Sequence, residues 1–124
     1  MARTLNAADT IEDRPATRPR SWTQLSNEFP DVVAAYDELS DACRDAGPLP
    51  GAVVALVKLA VSVGSRAPRT VHAHAKKALR AGADPAAVRQ IALIALPTIG
   101  LPAALDALRW IDESIHEQAK ESRA

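Results

Sequence analysis

The fold is decided by residues 52–63, AVVALVKLAVSV, in which every position is apolar except Lys58 and Ser62. A segment that is apolar on all sides is either a buried helix or a buried strand. Its length and its alanine content favour the helix. A Pro/Gly turn, residues 48–51, precedes the segment, and Gly64 follows it. We therefore expect a central buried helix at this point in the chain.

Four more helices are predicted around this segment. The first follows Phe29-Pro30-Asp31 and ends at Gly47. Its apolar stripe is expected to hold Val32, Val33, Tyr36, Leu39 and Cys43, and its outer face the acidic residues Asp31, Asp37, Glu38, Asp41 and Asp45. The single cysteine, Cys43, is therefore interpreted as inert core packing.

The other three helices start after turn or capping signals. One runs from Ala67 or Pro68 to Ala81 and is closed by Gly82. The next starts at Asp84-Pro85 and is ended by Pro97 and Gly100, and the last starts at Pro102. The expected core stripe of the first of these helices is Val71, Ala75 and Ala78. That of the second is Val88, Ile91, Ala92, Ala95 and Leu96, widened by Leu93 and Ile94. That of the last is Leu105, Leu108, Ile111 and Ile115. The sequence thus predicts an all-α fold of about five helices without a strand.

Composition limits the class of protein. The 124 residues form one domain by length, and we expect it to span residues 21–124, behind a flexible arm at residues 1–20 that orders against a partner subunit. Lys plus Arg and Asp plus Glu are 15 each, which argues against nucleic-acid or membrane-surface binding. One cysteine excludes a disulfide framework, a CxxC pair and a thiolate zinc cage. Without a signal peptide or membrane-length segment, a cytoplasmic protein is expected.

Two nearly all-apolar helices, the central one and the one after Asp84, are more than a domain of this size can cover internally. We therefore expect a sizeable subunit interface and a homo-oligomer.

His74 is the leading candidate for chemistry, because it borders the apolar face of its helix and an imidazole suits acid–base work near neutral pH. The alternative is a structural histidine bonded to a backbone carbonyl. His72 is two residues away and therefore points about 200° from it, so the two cannot share a metal within one chain. No metal and no cofactor are expected, and His72 is either a surface or interface residue or a substrate contact.

Three cations are candidate binding groups for an anion. Lys58 either extends its stem to the surface or faces a pocket or an acidic partner. Arg66 and Arg69 flank the start of the next helix, where they either join free N–H groups in an anion site or belong to a solvated turn.

The neutral total charge conceals segregated blocks. Residues 46–83 contain no acid but hold Lys58, Arg66, Arg69, Lys76, Lys77 and Arg80, whereas residues 21–45 carry six acids against Arg44 alone. The positive block around His74 either serves a small anionic substrate or docks the acidic helix of the same or a neighbouring subunit.

Three stretches carry a family resemblance: residues 57–64, VKLAVSVG, residues 72–83, HAHAKKALRAGA, and residues 96–105, LPTIGLPAAL. They resemble the carboxymuconolactone decarboxylase family, part of the alkylhydroperoxidase D-like superfamily, over residues 29–115. The resemblance implies an all-α fold and symmetric oligomers, commonly trimers or hexamers.

The resemblance also implies site residues. The peroxidase branch of this family uses a glutamate, a CxxC pair and a histidine, which correspond here to Ala55, to Ala67 and Thr70, and to His74. Because alanine and threonine supply neither thiolate nor carboxylate, dithiol peroxidase activity is not expected. The decarboxylase branch keeps the histidine without the cysteines, and this chain is more similar to that branch.

Two hypotheses follow. The first is a cofactor-free lyase acting on a small carboxylated or lactone-like metabolite, with His74 as proton donor and with Arg66, Arg69, Lys58 and His72 as substrate-binding groups. The second is a non-catalytic oligomeric module that binds a ligand or partner protein on the same fold. Neither involves nucleic acid or a membrane.

Overall fold

A computed structural model describes residues 20–123, and within that range the chain is helical without strands. Its six helices are α1 Arg20–Glu28, α2 Pro30–Asp45, α3 Gly51–Gly64, α4 Pro68–Arg80, α5 Pro85–Ile99 and α6 Leu101–Arg123. The predicted all-α class is confirmed. The predicted count of about five misses α1, a nine-residue, largely polar helix that starts at the last residue of the presumed arm. The rest of that arm, residues 1–19, lies outside the described residues.

By its internal contacts the described part of the chain forms two compact units, which divide between Pro48 and Leu49. The expectation of one domain over residues 21–124 stays a prediction. The first unit contains α1 and α2, which pack together, and the rings of Trp22 and Tyr36 meet edge to face with centroids 5.2 Å apart.

The predicted apolar stripe of α2 is wrong for most of its members. Val33 is buried, but the other four side chains are exposed: Val32, Tyr36, Leu39 and Cys43. Asp37, assigned to the outer face, is 1% exposed. Hydrophobic spacing identifies the apolar side of a helix but not which side other elements cover. The expectation that Cys43 is core packing is corrected accordingly.

The second unit has one core, to which all four of its helices contribute. α4 packs against α3 and α6, and α5 packs against α6 and α3. The core consists of Leu59 and Val63 from α3; Val71, Ala75 and Ala78 from α4; Val88 and Ala92 from α5; and Ala107 and Ile111 from α6. Short alanine side chains on three of the helices favour close approach of their axes. The stripe predicted for α4 is confirmed.

In the isolated chain α3 and α5 each keep an exposed apolar side, and the expectation that a subunit interface buries both helices on most sides stays a prediction. Val53, Val57 and Val61 leave one side of α3 exposed, with Val61 at 67%, and Leu93 and Ile94 are exposed on α5. Each helix therefore covers its core side and leaves a second apolar side open. Leu105, assigned to the core stripe of α6, is exposed as well.

Most of the predicted helix ends are confirmed. Oδ1 of Asp84 accepts a hydrogen bond from the backbone N–H of Ala86 at 2.8 Å, which caps α5. Gly82 has φ +97°, as a left-handed terminator requires. Pro97 does not end α5, which continues to Ile99 and stops at Gly100, where φ is +91°. No helix in the described residues is long and apolar enough to cross a membrane.

Candidate functional site

His74 lies on α4, which begins with Pro68 and is anchored in the core by Val71, Ala75 and Ala78. The histidine stands beside this anchored face and is half-buried. Its Nδ1 atom is buried and has no hydrogen-bond partner among residues 20–123. A buried polar atom without a protein partner is uncommon in a folded protein.

The surroundings of His74 disfavour its charged form. The pKa of His74 is lowered from its ordinary 6.5 to about 4, mainly by burial and in addition by the positive charges of Lys77 and Lys58. At neutral pH the side chain is therefore a neutral imidazole with two ammonium groups nearby.

The two lysines come from different helices. Lys58 is half-buried on α3, the helix packed against α4, and its backbone carbonyl accepts a hydrogen bond from Ser62 Oγ at 2.9 Å. Lys77 lies three residues after His74 and therefore on the same side of α4. We call His74, Lys58 and Lys77 the cationic cluster. Lys77 was not among the predicted site residues, although its spacing from His74 was the available signal.

His72 faces α6 rather than the cationic cluster. Its Nε2–H donates to Oε1 of Glu113 at 3.1 Å, and its Nδ1 lies 3.0 Å from the hydroxyl of Ser114. Ser114 is fully buried, and its hydroxyl is also 2.8 Å from the backbone oxygen of Trp110. The structure thus gives His72 partners on α6, and the proposed role in substrate binding stays a prediction.

A lysine and an arginine continue the row that His72 starts. Lys76 lies 3.0 Å from Glu117 and 3.3 Å from Glu121, and Arg80 lies 3.3 Å from Glu121. A hydrogen bond from Lys76 lowers the pKa of Glu117, more than offsetting the effect of its burial. Since the pairs recur every four residues on both helices, α4 and α6 run side by side in the same direction here. We call this row the ionic ladder.

Arg66 and Arg69 lie at the junction of α3 and α4. Arg66 has φ +57°, a left-handed conformation that is unusual for a residue with a side chain, and its guanidinium lies 3.0 Å from Asp106 of α6. Arg69 is exposed and makes no ion pair among residues 20–123. Of the four predicted binding groups, Lys58 is among the described charged groups that lower the pKa of His74, and neither arginine is.

The positions that the family's peroxidase branch fills with reactive groups are inert here. Ala55 is half-buried beside the core, Ala67 is the residue before α4, and Thr70 is exposed. The one cysteine of the chain, Cys43, lies on α2. Within residues 20–123, no three His, Cys, Asp or Glu side chains are grouped so as to hold a metal ion.

Fold and site together define an all-helical protein with a neutral, half-buried histidine set among lysines. A model of the carboxymuconolactone decarboxylase family matches residues 30–113, most of the chain, and the protein belongs to this family. A crystal structure from Burkholderia xenovorans LB400, provisionally named a carboxymuconolactone decarboxylase, is similar, with a TM-score of 0.64 and 19% identity over 93% of this chain and 98% of that chain. At that identity the likeness shows the fold alone. A comparison with curated proteins gives no match.

Proposed function

We propose that this chain is a cofactor-free lyase that removes carbon dioxide from a small carboxylated or lactone-like metabolite. The observation that supports this best is the cationic cluster, in which a half-buried imidazole lies near two ammonium groups. The buried Nδ1 of this imidazole has no hydrogen-bond partner among residues 20–123. Ammonium groups attract a carboxylate, and an imidazole transfers protons.

In the proposed loss of carbon dioxide, the lysines and the histidine of the cationic cluster have different roles. When the bond between the carboxylate carbon and its neighbour breaks, carbon dioxide leaves and the electron pair passes into a conjugated carbonyl system as an enolate-type anion. Lys58 and Lys77 stabilise this developing charge, and partial exclusion of water strengthens their effect. An imidazolium at His74 then gives its proton to the carbon, and water restores that proton. One proton is consumed for each carbon dioxide released.

As a proton donor, His74 must carry a proton on both ring nitrogens when the substrate is bound. Since its pKa is about 4 in the free protein, only about one molecule in a thousand carries the imidazolium at neutral pH. The proton must therefore arrive with the substrate, whose carboxylate adds a negative charge beside the ring. The neutral imidazole of the free protein is the form ready to receive it.

We also propose that the chain works as a homo-oligomer, a trimer or hexamer as the family resemblance implies. The exposed valines of α3 and the exposed Leu93 and Ile94 of α5 support this proposal, because a second copy would remove these apolar sides from water. Val57→Asp should reduce the mass measured by light scattering. Ala119→Asp, at an exposed position on α6, should leave the mass unchanged.

The second candidate function is a non-catalytic binding module on the same fold. The observation that favours it is the inert set at Ala55, Ala67 and Thr70, since a fold that has lost reactive groups can retain its ligand site. Ligand binding by the cationic cluster without turnover of any bound compound would establish this alternative.

The test is release of carbon dioxide from a panel of small unsaturated lactone and keto carboxylates. We expect at least one compound to react, and His74→Ala to lower its turnover by about a hundredfold or more without changing the oligomer. His116→Ala, at an exposed histidine of α6, is the matched control and should keep full activity. Full activity of His74→Ala, or no reaction across the panel, would reject the lyase proposal.

A further inference from the structure

α2 and its N-cap present an apolar surface that stays largely exposed in the structure of residues 20–123. Its side chains follow one another in alternating steps of three and four residues: Phe29, Val32, Tyr36, Leu39 and Cys43. The first four are between 55% and 60% exposed, and the cysteine is exposed as well. Alternation of three and four is the spacing with which one helix packs along another. We call these five residues the α2 seam.

One edge of the α2 seam combines small side chains with acids. Ala35 and Ala42 form this edge, and their short side chains permit close approach of another helix. Next to these alanines, Asp31, Glu38 and Asp45 follow at intervals of seven residues, which is close to two helical turns. In total, α2 holds five acids and one arginine. Any surface that covers the seam therefore comes close to a row of carboxylates.

α3 presents a second exposed apolar surface. Val53, Val57 and Val61 recur every four residues and are 39%, 48% and 67% exposed. We call these three residues the valine ridge. The sequence of α3 contains no aspartate or glutamate, and neither do those of α4 and α5, the helices packed against it. The helices around the ridge thus contribute no carboxylate of their own.

The distribution of acids favours one partner for the α2 seam over another. If two α2 seams packed together, two acidic helices would lie side by side, and repulsion between like charges disfavours that pairing. The acids of α2 would meet no acid of α3, α4 or α5 at the valine ridge. The two surfaces are both apolar and both exposed, so each removes the other from water when they pack together.

We propose that the α2 seam of one copy of this chain packs along the valine ridge of a second copy. The inference rests on the proposed homo-oligomer and deepens it, because it names the two surfaces in contact. Since these surfaces differ, each copy has one of each to offer its neighbours. Such a contact closes as a ring, for example a trimer, or as a dimer in which two copies exchange their α2 helices reciprocally.

The experiment compares the masses of two variants, alone and mixed, by light scattering of the full chain. Leu39→Asp introduces a charge into the α2 seam, and Val57→Asp introduces one into the valine ridge. Each variant alone should be monomeric where the wild type is assembled, because all of its copies lack the same one of the two surfaces. An equimolar mixture should form a heterodimer, because the intact ridge of Leu39→Asp accepts the intact seam of Val57→Asp.

Control variants separate loss of the contact from loss of the fold. Gln24→Asp, exposed on α1, and Ala119→Asp, exposed on α6, should keep the wild-type mass. Every variant should keep the far-ultraviolet circular dichroism of a helical protein. Leu39→Ala removes apolar area without adding a charge or disfavouring the helix, and it should raise the dissociation constant of the oligomer about tenfold or more.

The outcomes distinguish this contact from the homo-oligomer itself. If Leu39→Asp keeps the wild-type mass while Val57→Asp loses it, the homo-oligomer stands and the inference fails. If each variant alone remains a dimer, each surface pairs with its own counterpart, and the inference also fails. Monomeric variants that form no heterodimer on mixing would overturn it as well. A wild type that is itself monomeric rejects both the inference and the homo-oligomer.

Discussion

Acidification should destabilise this protein through His74, and replacing that histidine should remove part of the effect. In the unfolded chain the histidine titrates with its ordinary pKa of 6.5, whereas in the folded chain burial and the neighbouring lysines lower the pKa to about 4. Between these values the unfolded chain binds more protons, so the free energy of unfolding rises with pH. The contribution is complete above about pH 6.5 and is lost as the pH falls towards about 4.

The loss of unfolding free energy in acid can be worked out from the change in the pKa of His74 on folding. Lowering a pKa from 6.5 to about 4 corresponds to about 3 kcal/mol of preference for the neutral form. His74 is only half-buried, so solvent screening reduces this preference, and we expect about 1.5 kcal/mol. Glu117, whose pKa is lowered chiefly by Lys76, also loses its stabilising pairs in acid. That loss is common to the wild type and to a His74 variant, so it cancels when the two are compared.

The assay is urea unfolding of wild type and His74→Gln, followed by far-ultraviolet circular dichroism at equal protomer concentration. From about pH 7.5 to about pH 4.5 the wild type should lose about 1.5 kcal/mol more than the variant. His116→Gln, at an exposed histidine, should follow the wild type. If the two curves stay parallel across this range, the folded and unfolded histidine titrate alike and the assigned environment of His74 is wrong.

Three smaller perturbations test the local geometry by the same unfolding assay. Gly82→Ala should lose about 1 kcal/mol because φ is +97° there, whereas Gly47→Ala, where an added Cβ meets open space, should change stability by less than about 0.5 kcal/mol. Arg66→Gly should be about 1 kcal/mol more stable than Arg66→Ala, because both variants lose the ion pair but only glycine adopts the left-handed backbone conformation without strain. Equal stability of the two variants would count against strain at this junction. Glu117→Gln should lose less than about 1 kcal/mol, and the loss should shrink in high salt; a salt-independent loss would show that charge pairing is not its cause.

The helices of the second unit were predictable because each combines a clear start with an apolar stripe. Asp84 before Pro85 and the glycine at position 82 mark a helix start and a helix end whatever the rest of the chain does. The stripe of α4 was also correct, because its other sides carry charges that cannot be buried. The buried side of α2 was not predictable, since Asp37 rather than Leu39 is covered and local periodicity contains no information about the covering element.

For the candidate site, the sequence identified the central histidine and Lys58 but not Lys77. His74 and Lys58 could be singled out because each is unusual in its own helix. The effect of Lys77 depends on which side of α4 faces α3, and that is a property of packing. Likewise, no pattern in the sequence pairs Arg66 with Asp106, forty positions later, or His72 with Glu113.

His72 and His74 show how one helix gives the same side chain opposite electrostatic surroundings. Two residues apart, they point to different sides of α4. His72 meets the carboxylate of Glu113 and begins a row in which each cation of α4 has an acid of α6 beside it. His74 meets the charges of Lys58 and Lys77, and its Nδ1 has no partner among residues 20–123. The same helix thus places one histidine beside a carboxylate and the other within the influence of two ammonium groups, and only the spacing of two residues separates these surroundings.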